Sequence, residues 1–96
     1  MSRDYETRTF VWRGITIELH HAVKYSTMLD LHHLQILSLR PDREALAITE
    51  TGYLSHFYYG DPLTDTVAAV TQWLDEEART PEWVAQEASK KQMTLF

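Results

Sequence analysis

Histidines are the residues of this sequence with the widest possible chemistry, because imidazole can bind zinc or transfer a proton near neutral pH. Asp30 and His32 can share one face of a strand, and His20 would approach His32 if their strands pair. The spacing matches no H-E-x-x-H motif, facial triad or glycine-rich phosphate loop. We therefore expect no metal and no cofactor, with His20, His32 and Asp30 as the candidates if a site exists. The five histidines are His20, His21, His32, His33 and His56.

A serine nucleophile is the second chemistry to weigh, because Ser55 stands next to His56. Adjacent residues of a strand point to opposite faces, so these two cannot form a nucleophile and base pair with each other. The chain has no cysteine, which excludes a thiol nucleophile, a disulfide and a cysteine-ligated zinc. No catalytic residue is predicted, and a histidine-based metal protein or enzyme stays as a lesser alternative.

Aromatic residues cluster after Gly52, where the glycine favours a bend. Tyr53, Phe57, Tyr58 and Tyr59 follow it within a stretch typical of a strand. They cover a sheet face or form an exposed patch. We predict that this cluster is a surface for a partner protein, including a second copy of the chain in a homodimer.

The last five residues, Gln92, Met93, Thr94, Leu95 and Phe96, have the composition of a short docking peptide. Leu95 and Phe96 are adjacent apolar groups whose burial supplies about 3 to 5 kcal/mol before the cost of ordering the peptide. Gln92 carries a neutral amide that can satisfy a mixed polar pocket without the desolvation cost of a charge. The two apolar residues would anchor the peptide, and Gln92 would set its register.

This pentapeptide resembles the motif through which bacterial proteins bind the DNA polymerase III β sliding clamp. Gln92, Leu95 and Phe96 match the three determining positions, while Met93 and Thr94 are accepted variants at the other two. The resemblance implies a non-enzymatic interaction module, acting as an adaptor or competitor in DNA replication or repair. The alternative is a structural or regulatory domain that self-associates through its aromatic strand, with Leu95 and Phe96 packed on its own core.

Length and charge limit the remaining function classes. A chain of 96 residues, 44% of them hydrophobic, is long enough for one domain with a single core. Its net charge of −5 disfavours direct binding of nucleic acid, which requires a positive surface. No stretch approaches the roughly 20 apolar residues of a membrane span, and residues 1–8 are too polar for a signal peptide. We expect a cytoplasmic protein that binds no membrane.

Alternation of apolar and polar residues predicts the strands. Two strands lie within residues 9–21 and are joined at Arg13-Gly14, and a third covers residues 33–39. Leu46 and Ile48 alternate as a fourth, and residues 53–59 form an edge strand or a fifth. The segment 22–30 is a loop or a helical turn.

Helical spacing begins after Gly60. Asp61 is predicted to cap a first helix that starts at Pro62 and ends near Ala78. A second helix covers residues 81–89, with Trp83, Val84 and Ala88 as its apolar side. The predicted fold is therefore α+β: an antiparallel meander sheet of four or five strands followed by two C-terminal helices, the first packed on the sheet. Residues 1–89 form the domain, and residues 90–96 form a tail.

Overall fold

Four antiparallel strands followed by two helices make up the chain in a computed structural model, which describes residues 5–26 and 28–93, with side chains up to residue 89. The strands follow one another across the sheet in the order β1-β2-β3-β4. This confirms the predicted α+β meander, with four strands rather than five. Their bounds are Glu6–Trp12 (β1), Ile15–Ser26 (β2), Leu31–Arg40 (β3) and Tyr53–Tyr59 (β4).

The turn between β1 and β2 lies at Arg13-Gly14, as predicted. Trp12 pairs with Ile15 across a two-residue loop. Arg13 has a φ of 48° and Gly14 a φ of 79°, the pair of positive values that a type I′ hairpin requires. The glycine reaches this conformation without steric cost, and so fixes the register of the hairpin.

The segment 22–30, which we predicted to be a loop or a helical turn, is mostly strand, because β2 continues to Ser26. Its pairing with β3 shifts register between Ala22 and Ser26, where Lys24 has a φ of 55°. A bulge of this kind interrupts alternation without ending the strand. The periodicity used to recognise strands therefore could not follow β2 to its end.

The strand predicted at Leu46 and Ile48 is wrong. Leu46 and Thr49 instead exchange two backbone hydrogen bonds, at 2.8 and 3.1 Å, in an isolated tight turn. Leu46 is nevertheless buried and Ile48 packs against the core, so the alternation of these two residues arises from a turn that directs both side chains inward. Gly52 then allows a close approach: a Cβ there would lie 2.5 Å from the backbone carbonyl carbon of Arg43.

Helix α1 (Thr66–Glu77) begins four residues later than predicted. The capping residue is Asp65 rather than Asp61, since its side chain accepts a hydrogen bond from the amide of Ala68 at 3.0 Å. Both aspartates precede apolar residues at helical spacing, so the sequence does not separate them.

The core lies between α1 and one face of the sheet, which we call the inner face. Val70 and Leu74 of α1 are fully buried against it, confirming that the first helix packs on the sheet. The opposite, outer face has no helix over it among the described residues. No described helix is long and apolar enough to cross a membrane. The buried core consists of Trp12, Ile17, Leu19, Leu34, Ile36, Leu46, Val70, Leu74, Ala78 and Trp83.

Helix α2 (Pro81–Met93) starts where predicted but runs past the expected end at Ser89. Trp83 is its one buried side chain among those described, while Val84 and Ala88, predicted on its apolar side, are exposed. Residues 85–93 are rich in strong helix formers such as alanine, glutamine, lysine and methionine, which explains the extra length.

Candidate functional site

The pentapeptide 92–96 begins with the last two residues of α2, a helix held to the domain near its start. Trp83 packs on Trp12, with ring centroids 6.2 Å apart, and Arg13 pairs with Glu87 at 2.9 Å. After Glu87, the described side chains are exposed. Gln92 and Met93 form the helix end. The remaining three residues of the predicted clamp-binding peptide, Thr94, Leu95 and Phe96, lie outside the described residues.

The predicted aromatic surface divides between the two faces of β4. Tyr53, Phe57 and Tyr59 are 37%, 47% and 69% exposed on the outer face. Tyr58 points to the inner face, where its hydroxyl contacts His21 Nε2 at 2.6 Å and accepts a hydrogen bond from the amide of Leu63 at 3.0 Å. Tyr58 is therefore not part of the surface. The other three stand on an edge strand, since β4 pairs only with β3 within the sheet.

A hydrogen-bonded chain on the outer face connects Ser55 to His33, which was not among the predicted site residues. His33 Nε2 lies 2.6 Å from Ser55 Oγ, and its Nδ1 lies 2.7 Å from the Tyr5 hydroxyl. Phe57 stacks on the ring at 4.2 Å, with Tyr25 at its edge. Burial lowers the pKa of His33, which favours the neutral ring. Only the register of β3 against β4 could have revealed this pair.

A histidine that contacts a serine hydroxyl on one side and a tyrosine hydroxyl on the other can act as the base that activates the serine. The same contacts also have a structural explanation. Both ring nitrogens of His33 are occupied, and the residue is 5% exposed. The hydroxyl hydrogens can point either way, so the direction of each hydrogen bond depends on the tautomer. The chain of contacts holds residue 5, β3 and β4 together on the outer face.

His32 is a structural histidine on the inner face. It is fully buried, and the amide of Lys24 donates to its Nδ1 at 2.8 Å. Nδ1 must therefore be unprotonated, so Nε2 carries the hydrogen and donates to the carbonyl of Gly60 at 2.7 Å. The ring thus joins the β2 bulge to the turn after β4. Asp30, 4.0 Å from Nε2, lies beyond hydrogen-bonding distance.

The metal candidates are not brought together. His20 lies opposite Gln35 on the outer face and pairs with Glu18, whereas His32 points to the inner face. Within residues 5–26 and 28–93, no group of three or more histidine, aspartate or glutamate residues could hold a metal ion. β2 and β3 do pair, as an approach of His20 to His32 would require. The two side chains nevertheless point to opposite faces of the sheet.

His21 shares the inner face with His32 and is 6% exposed. Burial and the neighbouring His32 lower its pKa, and Glu6 opposes this by raising it. The neutral ring suits its contact with the Tyr58 hydroxyl. Three of the five histidines are therefore buried connections within the sheet, namely His21, His32 and His33.

Comparison with known proteins identifies the family of the domain but gives no activity for it. A family model described as the KlcB third domain matches residues 5–83, a range that contains the whole sheet, α1 and the start of α2. The match ends before the pentapeptide 92–96. No curated protein and no solved structure matches the chain. Because the family model covers most of the sequence, the chain belongs to the KlcB third-domain family.

Proposed function

We propose that this protein is a non-enzymatic interaction module that docks on the bacterial DNA polymerase III β sliding clamp through residues 92–96. The observation that carries the proposal is the sequence Gln92-Met93-Thr94-Leu95-Phe96, whose determining positions match the clamp-binding motif. Bound to the clamp, the domain acts as an adaptor or as a competitor of other clamp-binding proteins in replication or repair.

The anchoring of α2 supports this proposal. The Arg13–Glu87 ion pair joins it to the sheet domain five residues before Gln92. At 1.5 Å per helical residue, the peptide begins about 7.5 Å farther along the helix. The intervening described residues, Ala88 and Ser89, are exposed. A receptor can therefore approach this end of α2 without first displacing a described buried side chain.

Binding as an extended peptide requires α2 to lose its last turn. Gln92 and Met93 are helical, and the motif must present alternate side chains to separate pockets. Unwinding exchanges the intrahelical hydrogen bonds of the last-turn amides for bonds to water, and helix ends fray readily, so this step costs little. Micromolar affinity corresponds to about 8 kcal/mol. The burial of Leu95 and Phe96 supplies about 3 to 5 kcal/mol of this, and hydrogen bonds from Gln92 and from the peptide backbone have to supply the rest.

Calorimetric titration of purified β clamp with the protein tests the proposal. Replacing Leu95 and Phe96 together by alanine should weaken binding at least about 100-fold, because both anchors lose their buried surface. Thr94→Ser is the matched control, since that position accepts small polar residues, and it should bind within about threefold of the original. Equal binding by the double variant would refute the proposal.

The same double variant separates clamp docking from the alternative in which the tail packs on its own domain. Removing two apolar side chains from a core costs about 4 kcal/mol or more of unfolding free energy. A peptide that serves only a receptor contributes nothing measurable to folding. Clamp docking therefore predicts lost clamp binding with an unchanged urea midpoint, and a lowered midpoint would favour the alternative.

A second candidate function, self-association through β4, is favoured by the exposed aromatics on this edge strand. Two hydroxyls, those of Thr49 and Thr51, already donate to the Tyr53 carbonyl at 2.9 and 3.1 Å, so the more accessible end is at Tyr59. Tyr59→Lys should convert a dimer to a monomer in light scattering, because lysine opposes edge pairing. Val11→Lys on the other edge strand, 67% exposed, is the control. A monomeric original protein would rule this function out.

A further inference from the structure

A cleft of about 330 Å³ lies between the turn at residues 46–50 and the junction of the two helices. None of the described residues that line it belongs to the aromatic strand. The residues that matter for its chemistry are Leu46, Ile48, Glu50, Glu77, Glu82 and Trp83. Apolar side chains and carboxylates therefore meet in one depression.

The indole N–H of Trp83 is unsatisfied. Trp83 is 7% exposed and lines the cleft, and its Nε1 has no hydrogen-bond acceptor among the described residues. Trp12 offers the contrast within the same core, since its indole donates to Asp75 Oδ1 at 2.9 Å. Leaving a buried donor unpaired costs about 1 to 3 kcal/mol. An oxygen acceptor brought by a ligand would recover this free energy.

Three carboxylates at the cleft also lack partners. Glu50, Glu77 and Glu82 are exposed, and none of them forms an ion pair with a cation in the described part of the chain. Like charges placed around one depression attract a cation, and do so more strongly in a chain whose net charge is −5. The cleft therefore favours a positively charged group, and the covered indole of Trp83 at its wall favours an oxygen acceptor.

We propose that this cleft binds an arginine- or lysine-containing peptide segment of a partner protein. A peptide carbonyl accepts the Trp83 N–H, and the basic side chain crosses the apolar surface at Ile48 to reach the carboxylates. A simple polyamine supplies the charge without the acceptor, so the indole donor selects a peptide. The nitrogen is covered in the free domain, and the carbonyl reaches it by displacing covering side chains.

Nuclear magnetic resonance of the indole N–H groups tests this directly, with an acetylated and amidated Gly-Arg-Gly-Arg-Gly peptide as the probe at low ionic strength. The expected result is a saturable downfield shift of the Trp83 resonance, with the Trp12 resonance unchanged because its acceptor is internal. No saturable shift would overturn the proposal. So would an equal shift of Trp83 with the corresponding glutamate peptide or with spermine.

The carboxylates are tested by the triple variant Glu50→Gln, Glu77→Gln and Glu82→Gln, which should bind the arginine peptide roughly tenfold more weakly or worse. A matched control makes the same change in net charge at exposed acids outside the cleft, and it should bind within about twofold of the original. Equal weakening in both variants would mean that only the overall charge matters, and would overturn the site. The control replaces Asp42 and Asp61 by asparagine and Glu76 by glutamine.

Discussion

Replacing His32 by phenylalanine tests the structural role of the buried histidines. The substitution keeps an aromatic ring in a fully buried position but removes both hydrogen bonds, to the Lys24 amide and the Gly60 carbonyl. The loss of two hydrogen bonds lowers the free energy of unfolding by about 2 kcal/mol. The loss rises to about 4 kcal/mol if the Lys24 amide and the Gly60 carbonyl stay buried without a new partner. For a domain of this size the melting temperature should fall by about 10 °C or more.

The assay is urea unfolding followed by tryptophan fluorescence, with His56→Phe as the matched control. His56 faces the same side of the sheet and contacts Trp73 and Tyr58 by its ring, at 5.2 and 6.1 Å, but no hydrogen bond of its ring is found in the described structure. The control should lose less than about 1 kcal/mol. Similar losses for the two variants would refute the role derived for His32.

Three further changes have defined outcomes in the same unfolding assay. Gly52→Ala should cost about 2 kcal/mol or more, because φ is +75° and the new Cβ would meet the Arg43 backbone; an unchanged midpoint would contradict this. Because burial lowers the pKa of His21 and His33, the unfolded chain binds more protons below about pH 6.5. Stability should therefore be full above that pH and fall as the pH drops through it, and a urea midpoint that rises on acidification would be inconsistent with their burial. Asp65→Ala should cost about 1 kcal/mol by removing the α1 cap, and no loss would place the cap elsewhere.

The structural elements that are specified by residues close together in the sequence were predictable. Arg13-Gly14 between two alternating runs specifies a tight hairpin, and the stripe containing Val70 and Leu74 specifies a helix that packs on the sheet. Each depends on the chemistry of neighbouring residues alone. The wrong strand at Leu46 and Ile48 shows the limit, because a tight turn can also direct two alternate apolar residues into a core.

Features that depend on register or on distant contacts were not predictable. The pairing of Ser55 with His33 joins two strands, and one residue of slip would move either side chain to the other face. The unsatisfied indole of Trp83 likewise appears only once all its neighbours are placed. Val84 was assigned to the apolar side of α2 together with Trp83, but neighbouring helical residues point about 100° apart, and Trp83 alone turns to the core among the described side chains of this helix.

The most direct test of the central claim is calorimetric titration of purified β clamp with the intact chain and with a chain lacking residues 92–96. Docking through the pentapeptide predicts micromolar binding by the intact chain, no detectable binding by the shortened one, and the same urea midpoint for both. Equal binding by the two chains, or no binding by either, would contradict it.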